Sequence, residues 1–351
     1  MHNELKGAII RSVTGQKLSI GGDKIHALAI NRPLLDANLA LEAEEAGAQL
    51  LTGTKASHFE RQDGTLRIHL QGQDSGWLVE TRLLIGADGA RSNVARWAKL
   101  QGPNEVIRAI NARTRLPEGT PDFVEVFLGQ SLAPGWFAWI IPLGNGEARL
   151  GIGTRQGSPA RRLKEFMAAF PRRFRGAEIL NLSGGLIPLG LPQQIYADNT
   201  MLVGDAACQV KPTSGGGVYT GLRAARSCAR TAVHALQRDD LSAESLRRYQ
   251  ATWLEQMGDE LKLGILLRRI FAILSDDDFD RLLHLASNQS IQRIISRYGD
   301  IDHPSSVIAQ LITAFPGLKT LSSLGIGVAN MGMNSVDKWV KDVAAILRRP
   351  E

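Results

Sequence analysis

The sequence predicts a mixed α/β chain: a parallel-stranded α/β unit, an antiparallel sheet inserted into it, and a helical C-terminal region. Three observations predict this. Two apolar strands, Leu83-Leu84-Ile85 and Met201-Leu202-Val203, each run straight into a Gly- and Asp-bearing turn followed by a helix start. Between them, residues 106–154 read as short strands separated by Pro and Gly turns. After Ser242 the pattern is helical.

Taken in order, Gly7 to Ile20 alternates around a turn at Gly15, as a hairpin does. Pro33 opens a helix to about Ala46, with Leu34, Leu35, Leu39, Leu41 and Ala43 on one side and Gly47 as its stop. Gln49–Glu60, Leu66–Gln71 and Trp77–Ile85 read as strands, the first two joined by the hairpin signal Asp63-Gly64. The inserted sheet takes Val106–Arg113, Phe123–Phe127, Trp136–Ile141 and Ala148–Ile152. Pro159–Phe170 is an amphipathic helix, and a long helix runs from Gly217 to about Leu236. A Pro-marked break falls at His303-Pro304 in the helical region.

Composition narrows the class. Hydrophobic residues make up 44% and charged residues 22%, which excludes a disordered or fibrous chain. The net charge of +6 comes from scattered short pairs such as Arg161-Arg162 and Arg268-Arg269. They do not interleave with aromatics as a nucleic-acid platform requires, so no nucleic-acid partner is expected. Basic faces of this kind suit a solvated surface or contact with anionic lipid or phosphate. The 2 cysteines, Cys208 and Cys228, form neither a disulfide framework nor a metal-ligand spacing, and a cytoplasmic compartment with no bound metal is expected. Met1-His2-Asn3-Glu4 opens no signal peptide. The most apolar C-terminal stretch, Leu318–Met333, is interrupted by Gly325, Gly327, Asn330 and Gly332; it suits lying on a membrane rather than crossing one.

The chemistry concentrates at the two strand ends. In the stretch from Met201 to Leu222, a buried strand delivers Gly204-Asp205 to its end, where a carboxylate can accept hydrogen bonds from sugar hydroxyls. Pro212 then fixes one dihedral, and Gly215, Gly216 and Gly217 allow backbone close to a flat ligand. The helix that begins at Gly217 points its unpaired N–H groups and positive end the same way. A reduced flavin, negative around N1 and O2, suits that end. The second stretch, Leu83 to Arg96, repeats the device with Asp88-Gly89 and a helix start at Ser92.

Together these stretches resemble flavoproteins of the para-hydroxybenzoate hydroxylase fold and, more narrowly, the geranylgeranyl reductase family. Ala29-Ile-Asn-Arg-Pro-Leu-Leu-Asp36, Pro134-Gly-Trp-Phe-Ala-Trp-Ile-Ile-Pro142 and Tyr298-Gly-Asp-Ile-Asp-His-Pro-Ser305 resemble segments of the narrower group. Phe137 stands where that family usually has Tyr, and Ile141 where it has Phe. The Gly-x-Gly-x-x-Gly turn with which such proteins open is not found near the start, and Gly325–Gly332 has the wrong spacing to replace it. A product lacking its first nucleotide-binding unit is therefore expected, with weakened or lost affinity for FAD.

The resemblance implies an incomplete FAD-binding Rossmann-like domain with an inserted antiparallel β-sheet substrate domain and a helical C-terminal region. Its expected parts are 1–98 and 191–238 for the FAD-binding domain, 99–190 for the sheet and 239–351 for the helices. It further implies that Arg32 approaches the cofactor's phosphates or flavin and that Ala56 meets the adenine edge. Asp205 would bind the ribityl or pyrophosphate region, and Gly217 and Val218 would offer N–H groups to the flavin. Trp136, Phe137 and Trp139 would wall an apolar channel. The implied reaction saturates carbon–carbon double bonds of a geranylgeranyl-type chain by hydride from reduced flavin N5, with NAD(P)H or a ferredoxin as reductant. Cys208, Tyr219 and bound water are the candidate proton donors. A flavin-dependent aromatic hydroxylase and a catalytically dead remnant that binds lipid or a partner are the alternatives. Peripheral membrane contact follows from the lipid substrate; oligomeric state is not legible.

Overall fold

Seven strands make the largest sheet among the described residues of the structure, a computed structural model that describes residues 2–62, 64–117 and 119–314. In spatial order they are β13 (Glu178–Leu189), β9 (Glu105–Arg115), β12 (Glu147–Thr154), β11 (Phe137–Gly144), β10 (Phe123–Leu128), β2 (Gly7–Ser12) and β3 (Lys17–Gly21). The β9–β12, β12–β11, β11–β10 and β2–β3 pairs are antiparallel, whereas β10 and β2 run parallel, Val126 opposite Ile10. Gly7 permits this pairing: a Cβ there would stand 2.4 Å from the Phe123 ring. One face of the sheet packs Ala138, Ile140, Leu150 and Ile152 against Leu163 and Phe166 of α3 (Pro159–Ala169), which Ser158 caps. Inside this sheet, buried Glu125 bonds Arg11 Nε at 2.9 Å and Arg173 Nε at 2.8 Å.

This sheet belongs to one of two compact units, whose described residues fall within 2–31, 107–186 and 262–314. The N-terminal hairpin therefore sits with the inserted sheet. The first 31 residues were expected with 32–98; within them β2 instead pairs with β10, a partnership set across more than a hundred residues of chain. Helices α6 (Asp276–Ala286), α7 (Gln289–Tyr298) and α8 (Pro304–Ala314) belong to the same unit.

The second unit, 32–106 and 187–261, holds two three-stranded sheets. In the first, β14 (Tyr196–Ala197) pairs with β15 (Thr200–Leu202), and β15 pairs in parallel with β8 (Leu84–Gly86). Its core gathers Met201 and Leu202, Ala224, Cys228 and Ala235 of α4 (Val218–Arg238), and Leu246, Tyr249 and Trp253 of α5 (Ala243–Phe271). The second is the meander β5 (Lys55–Gln62), β6 (Thr65–Gln71), β7 (Gly76–Thr81). Helices α1 (Arg32–Glu45) and α2 (Asn93–Trp97) complete the unit.

Three elements differ from the sequence reading. The strand expected over Gln49–Glu60 begins only at Lys55, and Leu50 and Leu51 lie about half exposed, at 53% and 51%, with no ladder to join. The run Trp77–Ile85 is two strands, because Asn199 Nδ2 donates to the Arg82 carbonyl at 2.8 Å and turns the chain from one sheet into the other. The strand β13 has no strong alternation and was not expected; eight of its twelve residues are exposed. Leu318–Met333, with its glycines, lies outside the described residues. Among the described residues no helix is long and apolar enough to cross a membrane.

Candidate cofactor site

The parallel register of β8 and β15, Leu202 opposite Gly86, sets the two Asp-bearing turns side by side at the same sheet edge. The sequence marked both turns separately; the register joins them. After Leu202 the chain makes a short 3-10 turn, Gly204–Ala207, which needs φ +68° at Gly204 and closes with Cys208 in the left-handed region at φ 55°.

This turn is tied to the core by a chain of hydrogen bonds. The Gly204 N–H donates to Gln209 Oε1 at 2.7 Å, Gln209 Nε2 donates to the Tyr249 hydroxyl at 2.8 Å, and that hydroxyl donates to the Leu202 carbonyl at 2.9 Å. The Thr220 hydroxyl of α4 holds the Gln209 carbonyl at 2.5 Å. Gln209, Thr220 and Tyr249 were not singled out in the sequence. A Gln four residues after an Asp carries no spacing signature, and Tyr249 arrives from a different helix.

The glycines fall into two kinds. At Gly216 a Cβ would stand 2.8 Å from Lys211 Cε, and at Gly217 one would stand 2.9 Å from Val210 Cγ1 and 3.2 Å from Asp205 Oδ1. The second is required by the loop's own packing, whereas at the first the long Lys211 side chain can move aside. At Gly204 and Gly89, both with positive φ, a Cβ would have nothing within 4 Å, so bare backbone faces open space at both strand ends. Gly215, at φ +71°, donates to the Lys211 carbonyl at 2.8 Å and closes the loop, and Pro212 is buried within it. Gly217 caps α4, so the N–H groups of its first turn, Val218 among them, end beside Asp205.

Burial pushes the Asp205 carboxyl above the usual carboxylate range, and the positive charge of Arg32 works against that rise. Arg32, at the start of α1, is thus brought to Asp205, while its guanidinium also grips Asp36 with two contacts of 3.2 Å. Burial, with the Asp205 charge adding to it, pushes the Cys208 thiol up to about 12. A thiol held that way keeps its proton through the neutral range. The Tyr219 hydroxyl accepts from Arg223 at 2.8 Å.

Asp88 has a local task. Its Oδ1 accepts from the Ser92 hydroxyl at 2.5 Å, and its Oδ2 accepts from the N–H groups of Asn93 and Val94 at 2.7 and 3.1 Å. The carboxylate thereby caps α2, and Gly89 is the residue of this pair that leaves the surface open. Ala56 lies on β5, at a bulge in its pairing with β6.

The aromatic segment belongs to the sheet unit. Phe137 and Trp139 alternate with core-facing Ala138 and Ile140, so both occupy the face opposite α3. Trp139 lies across Gly151, where a Cβ would be 2.4 Å from its ring, and its Nε1 donates to Asn111 Oδ1 at 3.2 Å. Trp136 is 1% exposed, stacked on Phe137 and covered by the Arg268 guanidinium at 4.8 Å. It therefore supports this face from beneath, leaving Phe137 and Trp139 as its accessible rings.

Open backbone at two adjacent parallel strand ends, a desolvated carboxylate, a neighbouring arginine and a helix N-terminus fit a flat, polyhydroxylated, anionic group such as FAD. The chain is an FAD-dependent oxidoreductase. The FAD binding domain family pattern matches residues 14–253. The chain belongs to this FAD-binding family and, within it, to the geranylgeranyl reductases. It is 30% identical over 308 residues to a digeranylgeranylglycerophospholipid reductase of Methanothrix thermoacetophila, covering 83% of this chain and 77% of that one. A second such reductase, from Methanosarcina acetivorans, is 30% identical over 293 residues, 80% of this chain and 72% of the other. Among solved structures, a geranylgeranyl bacteriochlorophyll reductase-like protein of Thermoplasma acidophilum shares the fold with a TM-score of 0.79 at 24% identity, over 92% of this chain and 83% of that one.

Proposed function

We propose that the chain reduces carbon–carbon double bonds in the geranylgeranyl-type chains of an isoprenoid lipid. The observation that carries this reading is the pairing of Asp205 with the α4 N-terminus at the joined strand ends, in a chain similar to reductases named for digeranylgeranylglycerophospholipids. Bound FAD supplies two-electron chemistry; saturating each double bond also takes up two protons.

The protein's own work is placement. Asp205 accepts hydrogen bonds from the cofactor's ribityl hydroxyls, Arg32 meets its phosphates, and the N–H groups of Gly217 and Val218 face the flavin ring's most negative edge. Gly89 and Gly204 let that ring approach backbone. Phe137 and Trp139 present an apolar face to the isoprenoid, whose recognition rests on burying apolar surface at about 25 cal/mol per Å². Phe137 has no hydroxyl, so it orients the chain by contact alone. The proton comes from Cys208, Tyr219 or bound water. NAD(P)H or a ferredoxin delivers the electrons, and the lipid is reached at a membrane surface.

The test is anaerobic incubation of the FAD-loaded chain with dithionite and a geranylgeranyl glycerolipid, followed by mass spectrometry. A gain of about 2 Da per reduced bond is expected. Oxygen-dependent hydroxylation of an aromatic substrate with no saturation would support the hydroxylase reading instead. Lipid binding without turnover would support the inactive one.

A further inference from the structure

We propose that His58, Glu60 and His69 form a binding site for one divalent transition-metal ion, with Zn²⁺ as the natural occupant. The three sit on β5 and β6, a different sheet from the one that carries Asp205. Antiparallel register places His58 directly opposite His69, and Glu60 follows His58 by two residues on the same face of β5. The convergence depends on that register, so linear spacing does not display it.

The distances are those of ligands around a shared ion. Glu60 Oε1 lies 3.6 Å from His58 Nε2 and 3.5 Å from His69 Nε2. Both are longer than a good hydrogen bond. An ion held tetrahedrally at about 2.0–2.1 Å from each donor sets its ligands about 3.4 Å apart. The imidazole rings stack with centroids 3.7 Å apart and 18° between planes, so one of these exposed rings must turn for both in-plane Nε2 lone pairs to meet one ion.

The surroundings prepare the donors. The Ser57 hydroxyl donates to the His69 carbonyl at 3.2 Å, so its oxygen is left to accept from His58 Nδ1, 3.3 Å away. With Nδ1–H donating to Ser57, the neutral ring offers its Nε2 lone pair to a metal, as an outer hydrogen bond does for a ligating histidine. Arg67, across from Glu60 in the register, is taken by Glu80 at 2.8 Å and does not supply Glu60 with a countercharge. All three side chains are 34% to 61% exposed, which gives an ion and a fourth, water ligand free entry. Two imidazoles and one carboxylate suit Zn²⁺, and Cu²⁺ or Ni²⁺ in its absence. The bound ion would clamp β5 to β6 beside the bulge at Ala56 and His58.

The test is titration of the full chain with Zn²⁺ by calorimetry, and with Co²⁺ by visible absorbance, after EDTA treatment. One ion per chain is expected, together with a rise in Tm. His58→Ala, His69→Ala and Glu60→Gln should each weaken it at least about tenfold, and Ser57→Ala about tenfold through His58 alone. Circular dichroism of each variant in EDTA should match the parent, since these side chains are exposed. Failure of the parent chain to take up either ion saturably would overturn the proposal. So would stoichiometric binding that survives unchanged in a His58→Ala, His69→Ala double variant.

Discussion

Gly217 and Asp205 meet across the loop between β15 and α4: a Cβ on Gly217 would stand 3.2 Å from Asp205 Oδ1. The contact holds a carboxylate against the positive end of a 21-residue helix. That end carries the positive potential that an anionic ring requires, and the carboxylate beside it offers an acceptor to hydroxyl groups. Burial makes the same carboxylate reluctant to ionise. The site is thus arranged for a ligand at the expense of the free protein.

Asp205→Asn should separate those two effects. Loss of a charged acceptor costs about 1.5–3 kcal/mol, a weakening of FAD binding of about ten- to a hundredfold, read by flavin fluorescence titration. The free chain should gain stability at pH 7. Because the folded carboxyl sits above its unfolded value, the folded state holds its proton longer. Stability from this group therefore falls as pH rises through that window and stays reduced above it. Urea melts at pH 4 and pH 7 should show the difference between parent and variant growing at the higher pH.

Gly217→Ala adds a Cβ 2.9 Å from Val210 Cγ1 as well as beside Asp205. The expected loss is about 1–3 kcal/mol of stability, with weaker FAD binding. Gly89→Ala meets no atom within 4 Å. It should cost only the strain of its positive φ, about 1–2 kcal/mol, and disturb FAD binding more than its surroundings.

The two buried thiols give a sharp pH signature. Burial pushes both Cys208 and Cys228 to about 12. Unfolded thiols ionise from about 9 upward while folded ones keep their protons, so each lowers stability by about 1.4 kcal/mol per pH unit in that window. A Cys208→Ser, Cys228→Ser pair should flatten the fall measured between pH 8.5 and 10. Neither thiol should react with iodoacetamide at pH 8 until the chain unfolds. Cys208→Ser also sorts the proton donors: unchanged reductase turnover excludes the thiol, and an inactive, folded variant assigns the proton to it.

Glu125 is the charge on which the inserted sheet depends. Its carboxylate is buried between Arg11 on β2 and Arg173 beyond α3. Glu125→Ala leaves two guanidinium groups without their shared anion and should destabilise by about 3–5 kcal/mol. Thermal melts measure this directly, and Glu125→Gln should recover part of the loss through its amide oxygen.

What the sequence made legible was local. A short apolar strand running into Gly and Asp announces its own turn, and both such turns were found, with the helix that follows each. Long-range pairing was not legible. Nothing near Gly7 says that its strand lies parallel to Val124 and Val126, and nothing near Trp77 says that one apolar run serves two sheets. The division of labour between Asp88 and Asp205 was equally hidden. Both follow a short apolar strand, yet the Ser92 hydroxyl and two backbone N–H groups claim the first, while burial beside Arg32 and Gly217 marks the second. The channel-wall role of Trp136 came from the resemblance; the residue precedes the strand and is covered by Arg268.

The most direct test is a visible absorbance titration of the purified chain with FAD, run beside Asp205→Asn. A saturable perturbation of the flavin bands is expected in the parent, with the midpoint shifted by about tenfold or more in the variant. A parent chain that leaves the flavin spectrum unchanged, or a variant that binds as tightly as the parent, would contradict a flavin site built on Asp205.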